Sequence, residues 1–453
     1  LTTSSLHKLI KYLCAGKGLR ERLLRGAAGG FFVQGGRLIS ELLLSILLAR
    51  LLGPDGYGTY AFAFAIVKVV QIPAENGFAN LAVRFTSAYK AVASWGLLRG
   101  LWRRTFSAAF AYGIITAAVL LFIALSGIDS SKNKTLAAAS ILLLFMPLIS
   151  SGGGVLRGLG RTVLGQAPEH IIRPVAFLFL CVLSFLFAGK FIDQPSHAMM
   201  LHGGAVFFSM LAAFGWYLRY KPKEIRNAAP AYEDKTWLKA VLPLSFIGGM
   251  FVVNQHMDIL ILGWLSPAAQ VGIYRISVQG ANLVIFGLMV INFVIAPEIS
   301  RLYVKGEKKS LQKMVTWSAR AVLACALPIA IIFWLLGKQI ISFAFGEEYQ
   351  ASYAPLAVLT LGQLVNAAAG SVGFILNMTG HEKDTAVGVT IAAILNIFLN
   401  LMLIPSYQAI GAAIATVSSM IVWNILLIWA VYKRIQLNST AFGRISPRRP
   451  TST

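Results

Sequence analysis

The sequence predicts an all-α polytopic membrane protein, with twelve transmembrane helices in two six-helix lobes related by a pseudo-two-fold axis along the membrane normal. Three observations carry that expectation. Hydrophobic residues make up 57% of the 453 and charged residues only 13%, an imbalance that soluble chains rarely show. The apolar residues gather in runs near the length a helix needs to cross a bilayer. The segments between those runs alternate between basic and nearly uncharged, the pattern of cytoplasmic and external loops.

The first two runs, 27–52 and 57–80, meet at Leu51-Leu52-Gly53-Pro54-Asp55-Gly56-Tyr57-Gly58-Thr59-Tyr60. Pro54 cannot continue the helical hydrogen-bond ladder, Asp55 and Gly56 supply a turn, and the two tyrosines suit the membrane–water boundary. This is a tight transmembrane hairpin. Further spans are expected at 105–126, 135–156, 168–189 and 198–218. After a polar link come 240–264, 271–296, 316–337, 355–377, 385–404 and 410–432. The domain boundaries follow: a basic arm at 1–26, an amino-terminal lobe at 27–218, a linker at 219–239, a carboxyl-terminal lobe at 240–433 and a basic tail at 434–453. The arm has no apolar core before a small-residue cleavage site, so it does not read as a signal peptide.

Of the 40 lysines and arginines, the external loops hold only Lys132, Lys134, Lys190 and Lys338. That asymmetry places both termini in the cytoplasm, in a multi-pass protein of the cytoplasmic (inner) membrane. It also accounts for the formal charge of +23 without a nucleic-acid partner. The three cysteines, Cys14, Cys181 and Cys325, avoid the external loops, so no disulfide is expected.

Two echoes suggest duplicated halves. Leu52-Gly53-Pro54 and Tyr57-Gly58-Thr59-Tyr60 recur as Leu265-Ser266-Pro267 and Val271-Gly272-Ile273-Tyr274. The stretch Ser151 to Gly160 lines up with Ser371 to Gly380, sharing Ser, Gly, Leu and Gly at four matched positions. With an even number of spans per half, the repeats are parallel and leave a cleft between them, a plan that suits alternating access.

The run Arg50 to Tyr60, with Gly77-Phe78 and Arg84 closing the second span, resembles the polysaccharide-exporter branch of the multidrug/oligosaccharidyl-lipid/polysaccharide superfamily. The resemblance covers about residues 20 to 435. It implies a flippase that moves undecaprenyl-diphosphate-linked oligosaccharide repeat units between leaflets for surface polysaccharide assembly. Its partners would then be that lipid-linked substrate, membrane lipid and other polysaccharide-assembly proteins. Some relatives of the superfamily exchange drugs for cations, and another branch, with fourteen spans, flips the peptidoglycan precursor. Twelve spans count against that last branch.

Charges inside spans are costly and usually face a bundle interior or a wet cavity. Arg37, Lys68, Arg173 and Arg275 are the candidate substrate-binding cations, since guanidinium and ammonium groups hold phosphate. Lys68 stands near mid-span with no neighbouring acid on its own helix. Arg37 with Glu41, and Glu169 with Arg173, are i,i+4 pairs that can equally neutralise each other. Asp258, with Glu41, is the candidate for coupling to H⁺ or Na⁺; a salt bridge from Asp258 to Lys68 or Arg37 is its structural alternative. Asn366, Asn377, Asn396 and Asn400 can meet sugar hydroxyls or one another across helices.

No enzyme is expected, because the six histidines are scattered and no phosphate-cradling glycine loop follows a strand. No cofactor beyond a coupling ion is implied. A flippase is the first reading and a drug–cation antiporter of the same fold the second. A membrane-embedded polymerase or glycosyltransferase comes third, having no large extramembrane domain to work with.

Overall fold

The computed structural model describes residues 19–127, 130–188 and 193–443. Most of the basic arm, Lys190 and the tail beyond Gly443 lie outside these residues. Everything regular in the described residues is helical. The continuous run Leu19–Val70 is two helices, α1 (19–52) and α2 (54–70), because Gly53 adopts φ 65° and ψ 178°. That left-handed φ suits glycine, and Pro54 then starts the second helix. A wide π-type turn, Pro73–Phe78, leads into α3 (Ala79–Ala91). Helices α4 (Trp95–Ser126), α5 (Ser130–Gly158) and α6 (Thr162–Ala167) follow. A second wide turn, Pro168–Ile172, opens α7 (Arg173–Ala188), and α8 (Pro195–Tyr220) closes this half.

A short turn, Lys223–Arg226, crosses to α9 (Asp234–Leu265), α10 (Ala268–Val304) and α11 (Lys308–Phe345). Then come α12 (Tyr353–Ala369) and α13 (Val372–Met378). The run Glu382–Ile435 again holds two helices, α14 (382–407) and α15 (409–435), broken at Gln408 (φ 49°, ψ −126°) just after Pro405. Among the described residues, nine helices are long and apolar enough to span a membrane, or ten with the bent pair Glu347–Ala369 and Val372–Met378. Large apolar side chains point outward along them, including Phe122 on α4, Phe187 on α7 and Phe343 on α11. An exposed apolar belt of this extent belongs in lipid, where every backbone group is satisfied within its own helix. The protein is an all-helical polytopic membrane protein.

One apolar core draws on both halves, from Leu48 and Tyr57 to Val271, Tyr274 and Leu356. The two Pro-bearing hairpins meet inside it. Gly58 abuts the backbone of Ala268 and Gly272, and Gly272 in turn abuts Pro54 and Gly58, leaving no room for a Cβ at either position. Asp55 Oδ1 accepts from the Ala269 amide at 3.0 Å, a bond spanning 214 positions that satisfies a free donor at the start of α10. Arg50 ties α1 to the end of α11 through the Phe343 and Ala344 carbonyls, where a helix C-terminus favours a cation. Separate clusters close one end of each half, around Trp102 and Trp237 in one and Ile299 and Leu427 in the other.

Candidate functional site

Lys68 lies on α2, two residues before that helix ends at Val70. Beyond it, Pro73 and Pro168 each open a wide turn, and each turn carries a glutamate just after its proline. Such turns re-aim side chains that an unbroken α-helix would send elsewhere. Lys68 Nζ sits 3.0 Å from Glu75 Oε2 and 3.4 Å from Glu169 Oε1. Lys68 therefore does have an acid from its own segment, seven residues on, and a second from across the bundle. Glu169 turns toward Lys68 rather than forming the i,i+4 pair with Arg173.

Arg173 is 8% exposed and, among the described residues, has no carboxylate within ion-pair distance; its Nη1 lies 4.0 Å from Met146 Sδ. A void of about 10 Å³ between Gln71, Glu75, Ser150, Glu169 and Arg173 has room for one water. Buried Gln71 Nε2 and Arg157 Nε have no hydrogen-bond partner here. Arg157, which the span limits put in a loop, is within electrostatic reach of Glu169 and Glu75. This half of the site thus balances Lys68, Arg157 and Arg173 against two carboxylates. It is less cationic than a count of intramembrane lysines and arginines alone suggests.

Arg37 is half-exposed on α1, held by Gln34 at 3.0 Å and loosely by Glu41 at 3.5 Å. It is within electrostatic reach of His170, as are Lys68 and Arg173. Arg275, on α10 of the other half, is half-buried without a hydrogen bond or ion pair among the described residues. It is within reach of His256 on α9 and of Tyr60, which Arg173 also reaches. Of the four sequence-predicted cations, Lys68 and Arg173 share the surroundings of Glu75 and Glu169, while Arg37 stands on α1 and Arg275 on α10 of the other half. Tyr60 bonds His202 Nδ1 at 2.8 Å, and that imidazole stacks on Phe177.

Asp258 occupies a different setting. It is 3% exposed on α9, and among the described residues no cation lies within ion-pair distance; Lys68 and Arg37 pair with other carboxylates, so neither forms a salt bridge to it. Instead Tyr274 and Thr416 donate to Oδ2 at 2.7 and 2.6 Å, and Asn400 Nδ2 donates to Oδ1 at 2.6 Å. Asn400 Nδ2 also donates to Asn396 Oδ1 at 3.0 Å, and buried Asn400 Oδ1 is left with no partner. Neutral donors from three other helices, Tyr274 on α10, Asn400 on α14 and Thr416 on α15, thus surround the carboxylate of α9, with Asn396 behind Asn400. The i,i+4 spacing of the two asparagines, which puts both amides on one face of α14, was the visible clue. Nothing near Tyr274 or Thr416 signals the contact. Glu41 lies apart from this cluster, with Arg37. Among the described residues, no group of His, Cys, Asp or Glu could hold a metal ion.

The family model described as polysaccharide biosynthesis protein matches residues 47–354. The chain belongs to the polysaccharide biosynthesis protein family. That membership agrees with the polysaccharide-exporter resemblance carried by Arg50 to Tyr60. This family member is 22% identical over 451 residues to the lipid II flippase MurJ of Bacillus subtilis, covering 88% of this chain and 80% of that one. It is 24% identical over 412 residues to a putative O-antigen transporter of Shigella flexneri, covering 86% and 92%. Two other curated relatives align over 272 and 183 residues, and there the match spans only 52% and 38% of their length. Its fold is that of an inward-facing multidrug resistance MATE family transporter, with TM-score 0.75 at 12% identity over 88% of this chain and 94% of that one.

Proposed function

We propose that this protein is a flippase for lipid-linked glycans, and that undecaprenyl-diphosphate-linked oligosaccharide repeat units are its substrate. The observation that carries the reading is the pair Arg173 and Arg275. They come from different halves, Arg173 buried and Arg275 half-buried, and among the described residues neither has a carboxylate in ion-pair contact. A diphosphate entering between the halves supplies the missing negative charge through paired guanidinium bonds, while its lipid tail stays in the bilayer. Lys68, held by Glu75 and Glu169, and Arg37, loosely held by Glu41, border the same region and take part in the binding. The names of the MurJ and O-antigen relatives support the substrate class.

The same reading divides the chain into two six-helix lobes, 27–218 and 240–433, rocking about the linker at 219–239. Dividing the long runs at Gly53 and Gln408 and taking the bent pair as one span brings the candidate spans among the described residues to twelve. The reciprocal hairpin packing supports a pseudo-two-fold between them. The basic arm, the linker and the tail then face the cytoplasm, with the protein in the cytoplasmic membrane. Polysaccharide-assembly proteins are its natural neighbours there.

Coupling is assigned to the Asp258 cluster. A buried carboxylate with no cation at ion-pair distance among the described residues, beside the hydroxyls of Thr416 and Tyr274, offers the hard oxygen donors that Na⁺ takes, and the orphaned Asn400 Oδ1 fits such an ion. The same carboxylate could carry a proton instead. Inward movement of one charge contributes about 2.3 kcal/mol per 100 mV.

A drug–cation antiporter is the second reading, favoured by the MATE-like fold. The unpaired arginines work against it, since they repel a cationic drug. Reconstituted vesicles distinguish the two. A lipid-linked glycan in the inner leaflet is expected to become accessible to an external glycosidase only in vesicles with the protein. Failure of that exposure, together with counterflow of a cationic dye, would reverse the order.

A further inference from the structure

Away from the cleft, a cavity of about 410 Å³ opens between the start of α4 and the end of α8. Arg99, Arg103 and Lys221 line it together with the rings of Trp102, Phe106 and Tyr217. Tyr217 sits edge-on to both other rings, at 5.4 and 5.2 Å between centroids. The Trp102 indole N–H is committed to Thr86 at 2.9 Å, so that residue offers the cavity an apolar face. No acidic side chain lines the cavity. Arg103 and Lys221 have no hydrogen bond or ion pair among the described residues. Two uncommitted cations facing one open cavity call for an anion.

The surroundings say which kind. Immediately along the same two helices stand the exposed side chains of Phe214, Leu218, Leu211 and Phe110, an apolar strip continuous with the mouth. A headgroup held by the cations would therefore lay its acyl chains on protein surface that is already apolar. The cavity also adjoins the linker. Arg99 Nη1 donates to the carbonyls of Arg226 and Ala228 at 3.1 and 2.7 Å, and Arg104 pairs with Asp234 at 2.9 Å. The linker is thus strapped to α4 at the point where Lys221 leaves α8.

We propose that this cavity binds the phosphate-bearing headgroup of an anionic lipid, separately from the transported glycan, and thereby braces the linker against the amino-terminal half. Basic pockets between helices on the cytoplasmic side are where such headgroups bind. Placement in the cytoplasmic leaflet rests on the orientation proposed above; binding itself does not. Arg103 and Lys221 contribute charge to the phosphate, while Arg99 keeps its bonds to the linker and adds the third charge.

The test uses the full-length protein purified in detergent. Native mass spectrometry would count bound phosphatidylglycerol against phosphatidylcholine, with inorganic phosphate as a competitor. Wild type is expected to prefer phosphatidylglycerol, and R103Q/K221Q to bind it about tenfold or more weakly. R103K/K221R should keep most of the binding, which shows that charge and not folding was lost. K308Q/K309Q, which removes two exposed cations elsewhere, should bind as wild type does. Equal binding by R103Q/K221Q and wild type overturns the site, and displacement of the lipid by equimolar phosphate overturns its lipid assignment. In a chain with its three cysteines replaced by serine, Asn227→Cys tests the leaflet separately. Labelling from the cytoplasmic side only is expected; labelling from outside overturns the orientation while leaving the binding result intact.

Discussion

Lys68→Ala is expected to abolish glycan export and to lower stability as well. Removing the ammonium leaves Glu75 and Glu169 partly buried against each other, and breaking such a network from one side costs about 3–5 kcal/mol. Loss of export in that variant alone would not distinguish binding from folding. The deciding variant is Lys68→Gln with Glu169→Gln, which removes one charge of each sign and leaves Glu75 beside two amides. Stability should recover to within about 1 kcal/mol of wild type, a gap typical of surviving polar contacts, while export stays absent. Lys68→Arg should keep part of the export, because its charge survives in a different shape. A double variant that exports at the wild-type rate would show Lys68 to be structural.

Asp258→Asn is expected to uncouple the carrier with little change of fold. The amide has nearly the carboxylate's shape, and Tyr274, Thr416 and Asn400 can reorient around it. What disappears is the only charge in the cluster. Thermal unfolding of the purified protein in NaCl and in choline chloride at equal ionic strength measures this directly. Wild type should gain about 2.7 kcal/mol when Na⁺ stands a hundredfold above its dissociation constant, and Asp258→Asn should gain nothing. Equal stabilisation of both proteins by Na⁺ places the ion elsewhere. Stabilisation of neither, with a wild-type response to pH that the variant lacks, makes the proton the coupling ion.

The spans were legible because apolar length survives folding unchanged. Pro54 marked a real break, as did the gap between 385–404 and 410–432, and the structure puts non-helical residues at Gly53 and Gln408. The limits of the second span were less legible. Residues 57–80 were read as one helix, but the α-helix ends at Val70 and a wide turn follows from Pro73. That turn is why the partner of Lys68 escaped notice. Seven residues along an unbroken helix is about 10 Å of rise, too far for contact. Periodicity assumes that helix, so it cannot deliver Glu75 to Lys68. Pro73 and Pro168, each followed closely by a glutamate within apolar sequence, were the available sign. Asp258 was read as a mid-span charge with a salt bridge as its alternative, but its neutral hydrogen-bond donors come from three other helices. No spacing along the chain reports which helices become neighbours.

The hairpin contact between Gly58 and Gly272 has a consequence for how the two halves communicate. Each glycine lies under backbone of the opposite hairpin, and the two contacts are one crossing seen from its two sides. A methyl group added at either position wedges the same pair of helices apart. The second methyl then enters a gap that the first has already opened. Gly58→Ala and Gly272→Ala should therefore be strongly sub-additive, with the double variant little worse than the worse single one. Unfolding midpoints of the four proteins would show it, and simple addition of the two losses would mean that the crossing yields at each glycine independently. In genetic terms the duplicated motif acts as a single locus: after one copy has changed, selection on the other is largely relaxed.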